Sequence, residues 1–199
     1  MFILENHYGG NPTILIHNRI INGCQNFTLE EAEPILEHYG VSDEEWQQIL
    51  DVYTGESTDE QIMQFIKHEC SFVRKLVAQY GNDKHRDILV NDGDRYIRAI
   101  VAQYGNDDHR DILVNDNDKD VRWYVARYGN DSHRDILVND SYVFVRAIIA
   151  RYGNDSHRDI LVNDASDYVR ETVARYGNKS QKDRLRKDSC VFVRQEAFK

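Results

Sequence analysis

Residues 121–140 read Val121-Arg-Trp-Tyr-Val-Ala-Arg-Tyr128-Gly-Asn-Asp-Ser-His133-Arg-Asp-Ile-Leu-Val-Asn-Asp140, and the pattern returns every 24 residues on either side. Tyr-Gly-Asn begins at Tyr80, Tyr104, Tyr128, Tyr152 and Tyr176, while His-Arg-Asp-Ile-Leu-Val-Asn-Asp occurs unchanged from His85, His109, His133 and His157. Self-similarity at one fixed period marks stacked structural repeats. Val121, Tyr124, Val125 and Tyr128 fall at i, i+3, i+4 and i+7, as do Val73, Leu76, Val77 and Tyr80. That spacing predicts one apolar face of a helix. The glycine after the tyrosine, Gly81 in the first unit, is expected to end this helix in the left-handed conformation. Asp83, Asp107, Asp131 and Asp155 are placed to cap a second, shorter piece such as His85 to Val90, either α or 3₁₀.

Helices this short are marginal alone, so each unit must bury its apolar face on its neighbours. The reading is an all-α, right-handed α-solenoid with five repeats over residues 69–199 and a divergent N-terminal cap over residues 1–68. Ala78, Ala102, Ala126, Ala150 and Ala174 allow close approach of successive layers. In the fifth unit Gln181-Lys-Asp-Arg-Leu-Arg186 puts arginines where Ile and Val stood, as a terminal layer requires. Before the array, Thr28-x-x-Glu31 and Ser42-x-x-Glu45 read as capping boxes opening helices near 29–38 and 43–53, with another helix near 58–68. Residues 1–27, with Phe2-Ile-Leu4 and Ile14-Leu-Ile16 around Gly9-Gly-Asn-Pro12, suggest a small hairpin.

Val-Arg opening the first helix, Val-Ala-x-Tyr within it and Leu-Val-Asn-Asp ending the second resemble the leucine-rich repeat variant and, more broadly, HEAT-type helical repeats, over roughly residues 69–199. The resemblance implies α-helices alternating with 3₁₀-helices in a right-handed superhelix. It also implies an inter-repeat ladder of Asp and Arg six residues apart: Asp92 and Arg98, Asp116 and Arg122, Asp140 and Arg146, Asp164 and Arg170, Asp188 and Arg194. A half-buried guanidinium needs acceptors for its fork of donors, and such bonds can join one layer to the next. Two departures stand out: Gly-Asn-Asp replaces inter-helix prolines, and the N-terminal cysteine cluster of the family is absent, so no iron–sulfur cluster is expected.

Charge divides the 199-residue chain. Residues 1–68 hold twelve acids and two bases, residues 69–199 hold 22 acids and 23 bases, and the total is −9. The acidic segment would repel nucleic acid and attract basic protein surfaces. No apolar run approaches the length of a membrane helix, and the N-terminus does not read as a secretory signal. Cys24, Cys70 and Cys190, far apart and odd in number, fit reduced thiols and a cytoplasmic setting better than a disulfide framework.

His-Arg-Asp followed by Asn resembles a kinase catalytic loop, but only three residues separate Asp87 from Asn91 and the other kinase motifs are missing. The repeated histidines, read as an exposed or helix-turn stripe, sit a layer apart and cannot converge on one metal, so no metal or cofactor is expected. Without a catalytic constellation, the expectation is a non-enzymatic protein-binding module. Its contacts fall on positions that vary between units: Tyr96, Trp123, Tyr124, Tyr142, Phe144 and Tyr168. An alternative is an acidic inhibitor, of phage anti-defence or immunity type, in which Glu30, Glu31, Glu33, Glu37, Asp43, Glu44 and Glu45 mask the basic groove of a nucleic-acid enzyme. A second alternative is nucleic-acid binding through stripes of Arg86, Arg110, Arg134 and Arg158 or of Arg127, Arg151 and Arg175, against which the net charge weighs.

Overall fold

The computed structural model describes residues 42–55 and 57–199, among which there are thirteen helices and no strand. The expected hairpin over 1–27 and the helix near 29–38 with its Thr28–Glu31 box lie outside the described residues. The chain divides into two compact units, residues 1–81 and 82–199, and the boundary passes between the two helices of the first repeat.

In the first unit α1 (Asp43–Thr54) and α2 (Asp59–Phe65) pack on α3 (Ser71–Tyr80). Ser42 accepts from the Glu45 N–H, and Gly55, at φ 81°, closes α1 in the left-handed region. Thr58 and Gln61 form a complete reciprocal cap on α2. Ile49, Val52, Phe65, Val73 and Val77 are the centre of this core.

The second unit is an α-solenoid. Ten-residue helices α5 (Arg95–Tyr104), α7 (Lys119–Tyr128), α9 (Val143–Tyr152) and α11 (Asp167–Tyr176) stack in that order, and the shorter α13 (Val191–Ala197) closes the row. Between them run seven-residue helices α4 (Asp83–Leu89), α6 (Asp107–Leu113), α8 (Asp131–Leu137), α10 (Asp155–Leu161) and α12 (Lys179–Leu185). These are α rather than the 3₁₀ the resemblance implies: Val114 N–H reaches back to Arg110 O at 2.8 Å, and the exit turn tightens, with Asp116 N–H on Leu113 O at 3.0 Å. Rows of side chains one period apart fill the core. Ile97, Val121, Val145, Val169 and Val193 form one row, and Val101, Val125, Ile149 and Val173 another. Ala102, Ala126, Ala150 and Ala174 sit between layers with no exposed surface.

Three details differ from the sequence reading. The tyrosine at i+7 is not core: Tyr104 and Tyr152 are each 37% exposed, and the buried face runs through Val and Ala instead. The glycine after it is extended, with φ −74° at Gly129, so the left-handed argument does not apply. Its smallness is needed for space, since a Cβ on Gly129 would lie 2.6 Å from Val125 O and 2.8 Å from His133 Nδ1. The helix cap is the asparagine, not the aspartate that follows. Asn130 Oδ1 accepts from the His133 N–H, and the Asn130 N–H donates to His133 Nδ1 at 3.0 Å.

That reciprocal cap fixes the chemistry of the histidine. Because Nδ1 accepts from a backbone N–H, the ring proton sits on Nε2, which donates across the layer interface to Asp111 Oδ1 at 2.9 Å. His109 reaches Asp87 and His157 reaches Asp135 in the same way. These rings are at most 1% exposed, so the expected exposed stripe is in fact a buried column. In the last repeat Gln181 takes the place of histidine. Its Oε1 accepts from Asn178 N–H and its Nε2 donates to Asp159 Oδ1 at 3.0 Å, the same donor–acceptor pattern. His85, the first of the column, has the one buried side-chain nitrogen or oxygen without a partner among the described residues, its Nε2. One period before Asp87 the sequence holds Met63.

Two further kinds of joint cross the interfaces. Asn130 Nδ2 donates to Asp107 Oδ2 at 3.0 Å, with equivalents at Asn106–Asp83 and Asn154–Asp131. Arg122 spans the other side: Nη1 donates to Asp116 O at 2.8 Å, while Nε and Nη2 grip the Asp140 carboxylate at 2.6 and 3.1 Å. Arg98–Asp116, Arg146–Asp164 and Arg170–Asp188 repeat it. The arginine therefore takes the carbonyl of the aspartate six residues before it and the carboxylate of the one 18 residues after it. Arg194, at the end, holds only the carbonyls of Asp188 and Ser189.

Since Gln181 already satisfies the same bonds, His133→Gln should cost less than about 1 kcal/mol, whereas His133→Ala strands a buried N–H and costs about 2 kcal/mol in urea unfolding. Arg122→Ala should cost about 3 kcal/mol by leaving the Asp140 carboxylate unpaired, and Arg122→Lys should not restore it, lacking the planar fork. Unchanged unfolding of Arg122→Ala would remove the ladder from the account of stability.

Candidate functional site

Successive layers of the solenoid present different side chains at the same helical position: Ala99, Trp123, Ala147 and Glu171 one period apart. Between the bulky Trp123 and Glu171, Ala147 leaves a groove of about 410 Å³ whose floor is Ala147 and Ile148. Trp123, Tyr142, Phe144 and Tyr168 line it, drawn from α7, the N-cap of α9, α9 itself and α11. The rings are held edge to face, Tyr142 on Phe144 at 5.3 Å and Phe144 on Tyr168 at 5.6 Å between centroids. This is the offset geometry that aromatic quadrupoles favour. Phe144 and Tyr168 remain 46% and 50% exposed, so a large part of each ring is open to an incoming group.

Two of the sequence-selected aromatics stand apart from the groove lining. Tyr96 is engaged by Arg95, which donates to its hydroxyl at 2.8 Å and lies over its ring. Tyr124 is stacked on Tyr128 at 6.0 Å and meets Trp123 edge-on, and burial raises its phenol pKa. Ala147 and Asp120 were not singled out from sequence. The alternation of small and large residues at one repeat position was the available signal, and it becomes a cavity only once the layers are stacked.

The two arginine stripes have different fates. Arg110 donates Nε to Ala102 O at 2.9 Å, Nη2 to Gln103 O and Nη1 to Asp107, so it caps the C-terminus of α5, and Arg134 and Arg158 do the same for α7 and α9. Arg86 is likewise buried and paired with Asp83. That stripe is spent on the fold and is not open to phosphates. The other stripe is stacked on the tyrosines of Tyr-Gly-Asn: Arg127 lies over Tyr128 and Tyr152, and Arg151 over Tyr152 and Tyr176.

Of the acidic residues, Glu30, Glu31, Glu33 and Glu37 lie outside the described residues. Asp43 opens α1, Glu44 is exposed, and Glu45 is turned to His68 Nε2 at 3.3 Å. Among the described residues no three His, Cys, Asp or Glu side chains gather to hold a metal ion, and no helix is long and apolar enough to cross a membrane.

No protein-family model matches the chain, and no curated protein sequence does. One solved structure, described as a leucine-rich repeat variant with a novel repetitive structural motif, is similar over 92% of this chain and 81% of its own, with a TM-score of 0.67 and 19% identity. The fold is thus that of a leucine-rich-repeat-variant helical solenoid.

At the C-terminal side of the groove, α11 is tied to α13 and to the turn before it by Arg170–Asp188 and Arg175–Glu196. Hydrogen bonds from Arg170 hold the Asp188 carboxyl below its ordinary range, and Arg175, with Lys199, lowers Glu196 to about 2. A carboxyl whose pKa is depressed by folding contributes stability that is complete above its unfolded value and disappears as pH falls through the folded one. The melting temperature should therefore drop between about pH 4.5 and 2. Glu196→Gln should lower it at pH 7 and flatten that drop, as followed by circular dichroism.

Proposed function

We propose that this chain is a non-enzymatic protein-interaction module that works by occupancy, recruiting a partner or covering its site. What carries this reading is the convergence of Trp123, Tyr142, Phe144 and Tyr168, from three successive layers, on one groove. Aromatic anchors in a concave site of this size are typical of recognition surfaces. The polar machinery of the repeats supports it from the other side. His109, His133 and His157, the aspartates they reach and the ladder arginines are bonded within the array, which supports reading them as the frame of a rigid surface. A solenoid tolerates change at such variable positions because each layer contacts only its neighbours.

The test compares the tagged full chain with a Phe144→Ala/Tyr168→Ala variant in capture from nuclease-treated lysate of the native host. Both rings are half exposed, so melting should hardly change, while binding of a groove partner should weaken about thirtyfold. If the variant retains every protein that the parent chain captures, the groove is not the recognition surface.

A further inference from the structure

The arginines of residues 82–199 divide sharply. Arg98, Arg122, Arg146 and Arg170 grip carboxylates, Arg110, Arg134 and Arg158 cap helices, and Arg175 is paired with Glu171 and Glu196. Among the described residues of this unit, Arg127 and Arg151 are the two arginines with neither a hydrogen bond nor an ion pair. They are not loose, because tyrosines one layer apart enclose them. The Arg127 guanidinium lies 5.3 Å from the Tyr128 ring and 5.4 Å from Tyr152; Arg151 lies 5.0 Å from Tyr152 and 5.4 Å from Tyr176. Attraction to ring faces uses the charge of the guanidinium but none of its N–H donors. Both forks are therefore positioned and unspent. Arg151 lines the aromatic groove, and Arg127 stands over Trp123 in its wall.

We infer that the groove takes an extended acidic segment of another protein, with two carboxylates on Arg127 and Arg151 and an apolar side chain among Trp123, Phe144 and Tyr168. The inference rests on the protein-binding reading above and adds the chemistry of the ligand. A planar guanidinium held by its faces is suited to bidentate capture of a carboxylate. Layers are roughly 8–10 Å apart. An extended chain rises about 3.3 Å per residue, so acids two or three positions apart match two neighbouring arginines. A polyanion such as single-stranded nucleic acid could offer stacking bases and phosphates, but Asp120 and Glu171 also line the groove. Their charges disfavour a continuous run of phosphates more than two discrete carboxylates.

Random twelve-residue peptides displayed as a library should be panned against the full-length chain and against its Arg127→Gln/Arg151→Gln variant. The expected result is enrichment of peptides carrying paired Asp or Glu beside an apolar residue. Affinity should fall at least about tenfold in the variant, and similarly when the peptide acids become Gln. No enrichment, enrichment indifferent to acids, or tighter binding of a twelve-nucleotide oligo-dT would each overturn the inference, the last in favour of nucleic acid. Lysate capture separates the two levels. If Phe144→Ala/Tyr168→Ala loses the partner while Arg127→Gln/Arg151→Gln keeps it, the groove remains a protein site and the acidic ligand is wrong.

Discussion

Everything in the repeat array depends on one hydrogen-bonded relay, from backbone to imidazole to the neighbouring layer. The asparagine that starts each short helix offers its own N–H to Nδ1 of the histidine three residues on, and this decides where the ring proton sits. A buried Nε2–H then needs an acceptor, and the aspartate of the preceding layer provides it. Local helix capping and inter-layer association are thus the same interaction. Seven residues are too few to hold a helix alone, so the second helix of each repeat exists because the stack exists. The glycine before the asparagine completes the arrangement by leaving room for the ring, which any Cβ would occupy.

The end of the array separates what the relay needs from what the sequence happens to repeat. Gln181 keeps an acceptor and a donor at the two ring-nitrogen positions while discarding the ring. Arg186 replaces the buried Val162 of the previous repeat and lies exposed, paired with Asp183 and over the Phe198 ring. Arg184 replaces an isoleucine that was already half exposed in every earlier repeat, as with Ile160 at 50%, so that change removes no core contact. Of the two arginines that look like a polar cap in the sequence, only one replaces a core residue.

Much of the architecture was legible because periodicity reports register directly. The period located the helix pairs, and the apolar spacing found Val121 and Val125 at the centre of each layer. What periodicity does not report is which side of a repeated residue faces inward. Tyr128 and His133 recur with the same strictness as Val125, yet the tyrosines of this row lie at the surface or half-buried while the histidine is wholly enclosed. Hydropathy alone favours the opposite arrangement. The capping residue was misplaced by one position for a related reason: Asn and Asp are both good caps, and only the histidine bond selects the first of them. The groove was legible only as a set of variable aromatics. That Tyr96 spends its hydroxyl on Arg95, and that Ala147 opens the space its neighbours enclose, are consequences of stacking.

The same internal bonding bears on the proposed recognition surface. Within the repeated unit nearly every charged group answers another within hydrogen-bond distance, so the array has few unsatisfied groups to offer a ligand. Sequence stripes of arginine look equivalent, but the one at Arg110 closes the helix ends and the one at Arg127 lies on tyrosine faces. The first cannot leave its carbonyls without uncovering buried acceptors. The second can accept a carboxylate while keeping its ring contacts, because the two interactions use different parts of the guanidinium. On the proposed reading, rigid donors that need no rearrangement lose little entropy on binding, and the exposed aromatic rings beside them add selectivity.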